Sequence, residues 1–368
     1  MTRKITKIKS KRFIFFSTIL AAKKITNALN IKGKYITSYT VIAISLVIFT
    51  TLNLLLGSVL LPAKEIIAAL TGGDAPLPVQ NIMFSHRIPK AITALMAGAA
   101  LSVCGLQMQT MFRNPLADPF ILGISSGAGL GVALFVMGFS AFGISLSSSL
   151  ATSLGIVIAA WLGAFGVTLL ILLVSSRLKD NISLLIFGIM IASVTGAIIS
   201  LIQYFSSSAD LKVFVLWTMG SFSGISKEGI WIMFMIVLAG SALSVYNIKD
   251  LNALLMGEAY AKSLGVNLDN TRKRILIATT LLAGSVTAFC GPIGFIGIAV
   301  PHIARMIFRN ADHKVLLPAT ALLGASLMII ADTISQMPGQ PEVLPINTVS
   351  ALLGVPVILV IILKSKFL

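Results

Sequence analysis

Long apolar runs alternate with short polar breaks along most of the chain. Ten of the runs predict membrane-spanning helices, at about 36–61, 89–110, 119–139, 150–175, 182–205, 229–247, 275–290, 293–308, 315–335 and 346–363, most near the ~20 residues that carry a helix across a bilayer. The runs are continuous, whereas barrel strands would be shorter and alternating. From Ile275 to Ala304 the chain has no charge, yet it is too long for one crossing. Gly291, Pro292 and Gly294 break that stretch and predict two short helices joined by a tight hairpin.

Composition supports this pattern. The 368 residues are 57% hydrophobic and 11% charged, where a soluble domain carries roughly a quarter charged residues. The predicted fold class is an all-α polytopic membrane protein. The net charge of +16 raises the question of nucleic acid, but its distribution points elsewhere. Ten Lys/Arg lie within residues 1–34. The segment 1–35 therefore reads as a basic cytoplasmic arm resting on anionic lipid, ahead of a membrane domain over 36–368. Its apolar patch, Phe13 to Ala22, does not end in the small-residue cleavage site of a signal peptide. With the N-terminus inside, 23 of the 28 Lys/Arg fall on the cytoplasmic side and five outside, namely Lys64, Arg87, Lys90, Lys212 and Lys227. That bias is the positive-inside pattern, and it puts both termini in the cytoplasm.

Candidate chemistry is sparse. Cys104 and Cys290 sit in apolar runs and read as small buried residues. His86, His302 and His313 are far apart, and no metal-ligand spacing occurs. Mid-membrane ionisable groups, which ion-coupled transporters use, are nearly missing; Asp332, near the outer end of the ninth span, is the clear exception. No phosphate-binding G-x-x-x-x-G-K-[ST] motif is present, so uphill transport needs energy from a partner. The long cytoplasmic loop 247–274 offers a place for one. Leu254, Leu255, Ala259, Ala261 and Leu264 form an apolar stripe, Glu258 and Lys262 are a helix-supporting pair, and Gly257 and Gly265 bracket a short helix. Such a helix suits a groove on another protein, or alternatively its own bundle or the lipid surface.

The turn "RNPLADPFILGISSGAG" lies on the same side of the membrane. Pro115 and Pro119 stop helices, Asp118 is placed to cap the next one, and the glycines from Gly123 to Gly131 give the third span a small-residue face for close packing in lipid. One reading is a plain turn. The other makes Arg113, Asn114, Pro115, Asp118 and Pro119 a stiff buttress for the loop helix, with Arg113 and Asp118 in polar contact with it.

"RNPLADPFILGISSGAG", "LLMGEAYAKSLGV", "CGPIGFIGIAVPHIARMI" and "DHKVLLPATALLGASLMIIAD" together resemble the FecCD family of ABC importer permeases, which handle ferric siderophores, haem and vitamin B12. The resemblance runs from about 89 to 364, with a weaker match at "YFSSSADLKVFVLWTMGSF". It implies the type II importer permease architecture in the bacterial cytoplasmic membrane, without enzymatic activity or a resident cofactor. ATP would be bound by a partner ATPase dimer, a second permease subunit would complete the path, and a substrate-binding protein would dock outside. Nucleic acid has no place in that scheme. Carried over by position, Gly257, Glu258, Ala259, Ala261, Leu264 and Gly265 match the ATPase-coupling motif. Arg87 and Lys90 match the basic docking positions, Asn181 and Ile182 the cytoplasmic gate, and Trp217, Met219, Gly220 and Phe222 an external helix lining the substrate cavity. Two departures stand out. Gln336 replaces a further docking arginine, and Glu342-Val343-Leu344-Pro345-Ile346-Asn347 carries an extra residue and an asparagine in place of glycine.

The leading expectation is import of an iron complex, most of all a ferric siderophore. Haem or a corrinoid is the alternative within the family, and an ion-coupled secondary transporter or a membrane scaffold the alternatives outside it.

Overall fold

The computed structural model describes residues 33–138, 149–175, 177–178, 181–337 and 342–365. Almost all of the basic arm lies outside them. The chain forms two compact units, Met1–Ser45 and Leu46–Leu368. Of the first, the described part is helical from Gly33 on.

Among the described residues the structure is helical, and ten apolar helices correspond to the ten predicted spans. They are α1 (Gly33–Leu55), α3 (Leu77–Met111), α4 (Ile124–Gly138), α5 (Ser149–Ser175), α6 (Asn181–Tyr204), α8 (Lys227–Tyr246), α11 (Leu268–Cys290), α12 (Ile296–Phe308), α13 (His313–Ser335) and α14 (Ile346–Ser365). Among the described residues four more α-helices lie between them: α2 (Ala63–Thr71), α7 (Ser208–Met219), α9 (Ile248–Leu255) and α10 (Glu258–Ser263).

Several boundaries differ from the sequence expectation. The first span stops at Leu55 instead of 61. The second begins twelve residues early, at Leu77 rather than 89, and passes through a π-turn at Met83–Arg87. Pro89 is tolerated there because it falls in the first turn after the π-turn. The seventh span begins at Leu268, inside the expected 247–274 loop, where the Asn267 side chain accepts a bond from Asn270 N. Its charged first turns project beyond the apolar stretch. The joint at 291–295 is five residues of non-helical chain.

Burial divides the helices by composition. Within their most apolar windows α3, α11 and α13 are 78, 72 and 61% buried, whereas α5, α6 and α8 are 22, 17 and 28% buried. The buried helices carry small residues where backbones meet. A Cβ at Gly105 would overlap the Gly297 carbonyl, and one at Gly98 the Gly324 carbonyl. Gly127 and Gly131 of α4 meet Gly163 and Ala159 of α5 in the same way. Without a hydrophobic driving force between helices in lipid, this close packing supplies cohesion. Leu, Ile and Val instead cover the outward faces of α5, α6 and α14.

Candidate functional site

On the cytoplasmic side the 247–267 segment folds as α9 and α10, with Gly257 between them at φ +105, a conformation that strains any residue with a Cβ. Leu251, Leu254 and Ala261 turn inward and are buried. Leu255, Met256, Tyr260 and Leu264 are exposed and form an apolar ridge with the exposed Ala259 and Gly265. The predicted stripe is thus split: Leu254 and Ala261 face the bundle, and Leu255, Ala259 and Leu264 face away. Met256 and Tyr260 were missed as members, because each breaks the simple spacing across the Gly257 bend.

Glu258 does not face outward alone. One carboxylate oxygen, Oε1, accepts from Asn181 Nδ2 at 2.6 Å and from Arg272 Nη2 at 2.8 Å. The same Asn181 Nδ2 reaches the Met111 carbonyl at 2.6 Å. One asparagine at the start of α6 therefore ties the end of α3 to the first turn of α10. Ile182 beside it is exposed. Arg272, 6% exposed, had no periodic relation to Glu258 that sequence could show.

The Arg113–Pro119 turn meets this junction at one end only. Arg113 adopts φ +47, and its guanidinium lies 3.5 Å from where a Gly257 Cβ would be. Asn114 Oδ1 accepts from Leu116 N, and the Pro115 carbonyl accepts from the His302 ring on α12. Asp118 Oδ1 accepts from Phe120 N, capping a 3-10 turn at Pro119–Leu122, with its other oxygen and Pro119 against Gly297 of α12. The expected cap of the third span is corrected, because that helix starts at Ile124 behind Gly123 with no side-chain bond, and so is the expected contact of Asp118 with the loop helix: the side chain faces α12. Burial pushes its carboxyl up to about 6, against the opposing effect of the Phe120 N–H.

On the outer side the two basic positions are held inside the chain. Arg87, 7% exposed, donates to the carbonyls of Leu54, Leu55 and Val59 and fixes the loop after α1. Lys90 Nζ pairs with Asp332 Oδ1 at 3.1 Å. Asp332 Oδ2 also accepts from Asn53 at 2.9 Å and from Gln336 at 2.8 Å. The ionisable residue noted in the ninth span is therefore fully partnered, and Gln336, at the departure from the expected arginine, serves it. Two adjoining depressions of about 500 and 280 Å³ open here and share Lys90, Phe222 and Val343.

Met219, Gly220 and Phe222 line the smaller depression. Trp217 does not. Its ring packs near Phe214, 6.2 Å between centroids, and its carbonyl crowds Gly291. Ser221 N donates to the Cys290 carbonyl at 2.8 Å, so the Gly291–Pro292 break and the end of α7 are seated on each other. Gly294 N donates to Asn347 Oδ1 at 3.2 Å. The asparagine that departs from the family pattern thus braces the break. The lengthened turn before it is tied back by Leu344 N to the Ser335 carbonyl at 2.8 Å. Among the described residues no cluster of His, Cys, Asp or Glu could hold a metal ion.

The FecCD transport family model matches residues 45–364. The vitamin B12 import system permease protein BtuC of Klebsiella pneumoniae is 33% identical over 320 residues, covering 85% of this chain and 94% of that one. The hemin transport system permease protein HmuU of Yersinia pestis is 37% identical over 287 residues, covering 78% and 84%. A solved structure described as an inward-facing conformation of a metal-chelate type ABC transporter superposes with TM-score 0.74 at 30% identity, covering 90% of this chain and 99% of its own.

Proposed function

The chain belongs to the FecCD transport family, and from that premise we propose that it carries an iron complex, a ferric siderophore above all, inward across the membrane on energy from a partner ATPase. It is an ABC importer permease of the metal-chelate, vitamin B12 or haem type, a multi-pass protein of the cytoplasmic membrane and not an enzyme. Such permeases work with a cytoplasmic ATPase and a substrate-binding protein.

The observation that carries the proposal is the coupling segment. An exposed apolar ridge of Leu255, Met256, Tyr260 and Leu264 on the cytoplasmic side suits the groove of an ATPase. Directly behind it, Glu258 joins the gate residue Asn181. ATPase closure would push α10, and the push would reach α6 through that bond. A second permease subunit, identical or related, completes the path at the axis between them, against the exposed apolar faces. Outside, the binding protein docks over the two depressions. Arg87 and Lys90 shape that surface, and a docking carboxylate would reach Lys90 by exchange with Asp332. Met219, Gly220 and Phe222 face the cargo. Weak, diffuse contacts suit it, since only differential affinity between states moves it.

The test is reconstitution with the ATPase and binding protein in liposomes, offering a labelled ferric hydroxamate, hemin and cyanocobalamin in turn. ATP-dependent uptake of the ferric hydroxamate is expected. Preference for hemin or cyanocobalamin would overturn the substrate assignment. Gradient-driven uptake by the chain alone would overturn the mechanism.

A further inference from the structure

Two polar clusters inside the bundle lie at opposite ends of one helix pair. At the outer end Lys90 of α3 pairs with Asp332 of α13 at 3.1 Å. At the inner end Thr110 Oγ1 of α3 meets His313 Nε2 of α13 at 2.9 Å. Between them Gly98 and Gly324 touch backbone to backbone. The three contacts follow a single antiparallel register. Lys90 to Thr110 spans about 30 Å at 1.5 Å per residue, the thickness of the hydrocarbon core. A helix pair with a clasp at each end and no room for a methyl group at its middle cannot slide or rotate internally without breaking all three contacts. It is a strut from one membrane surface to the other.

The inner clasp continues into the coupling segment. Asn252 of α9 uses both ends of its amide. Its Oδ1 accepts from His313 N at 2.9 Å and meets His313 Nδ1 at 2.8 Å, and its Nδ2 donates to Asp312 Oδ1 at 2.6 Å. Asp312 in turn caps α13 through Lys314 N. His313 is 1% exposed. This linkage is separate from the Glu258–Asn181 bond: it leaves from α9, the other from α10, and Gly257 at φ +105 lies between.

We propose that Asn252 and His313 are positioning residues that hitch the coupling segment to the α3–α13 strut, and that the strut carries nucleotide-driven motion to the outer docking face. This rests on the permease reading above. In it the coupling segment acts on two outputs, with Glu258 serving the α6 gate and Asn252 serving the docking face. Two distant sites couple through a shared element that both bias. The strut supplies one, with Asp312–His313 at its inner end and Asp332 beside the outer depressions.

The test uses the full chain assembled with its ATPase in nanodiscs. Ser85, exposed and lining the larger depression, is changed to Cys and labelled with an environment-sensitive fluorophore. The native Cys104 and Cys290 are buried. Emission is compared without nucleotide and after trapping with ATP and vanadate. The parent should show a shift. Asn252→Asp, which sets a second carboxylate beside Asp312, and His313→Gln should each cut it about fivefold or more, an ordinary coupling factor, while the ATPase stays bound. A full shift in either variant that retains the ATPase overturns the proposal. So does a parent with no shift, or loss of the ATPase from both variants, which would make the clasp an anchor. If the parent itself binds no ATPase, the permease reading fails instead.

Discussion

Glu258→Ala removes a carboxylate whose Oε1 two donors share. The Arg272 bond is charge-assisted, at 2.8 Å to a guanidinium that is 6% exposed; such bonds contribute about 1.5–3 kcal/mol. The Asn181 bond adds about 1 kcal/mol. The carboxylate side is 32% exposed, so solvent screening trims the sum to about 2–3 kcal/mol. At 1.4 kcal/mol per decade, that raises the population in which α10 is released from α6 by roughly 30- to 150-fold. The Arg272 guanidinium left at the junction is buried, so a lower melting temperature accompanies the loss. What should fall is substrate moved per ATP hydrolysed, measured in proteoliposomes. Glu258→Gln keeps an acceptor without the charge and should lie between the parent and Glu258→Ala. In a double-mutant cycle Glu258→Ala and Asn181→Ala should be non-additive by about 1 kcal/mol. Normal transport stoichiometry in Glu258→Ala, together with additivity within about 0.5 kcal/mol, would refute the idea that this bond transmits the push.

Three further outcomes are expected. Asp118 has its folded-state pKa raised from 3.8 to about 6 by burial, so its ionised form is disfavoured in the fold; that contribution is complete below about pH 4 and is lost as pH rises through 6, up to ~3 kcal/mol in all. Asp118→Asn keeps the Phe120 cap and should raise the melting temperature at pH 7.5 much more than at pH 5, and an equal offset at both would count against it. Gly105→Ala forces a methyl group into the Gly297 carbonyl and should destabilise by about 1–3 kcal/mol or more, read as a lower melting temperature in detergent. A cysteine at Asp269 should react only from the cytoplasmic side and one at Asp74 only from outside, while labelling of both from one side would contradict the charge-derived orientation.

The spans were legible because a bilayer leaves a coarse signature: any run long and apolar enough is a crossing. Their ends were less so. Leu77 to Ile88 of α3 and Leu268 to Arg274 of α11 are polar or proline-bearing, and hydropathy stops where lipid stops even when the helix does not. Glu258 stands out in the loop sequence, but its partners lie 77 residues before it and 14 after it, a relation only the folded bundle creates. Arg87 and Lys90 show why charge alone misleads. Sequence displays two outward cations, and the fold surrounds one with carbonyls and gives the other a carboxylate.

The glycine seams have a consequence for how such a machine can change over time. Where α3 meets α12 and α13 the touching atoms are backbone, so the register there is independent of whatever side chains project on the other faces. Substitutions at Met219, Phe222 or the lipid-facing leucines leave the seam as it was. The frame and the positions proposed to face the cargo are therefore separate sets, and one frame can be refitted for a different cargo without redrawing the helix seams.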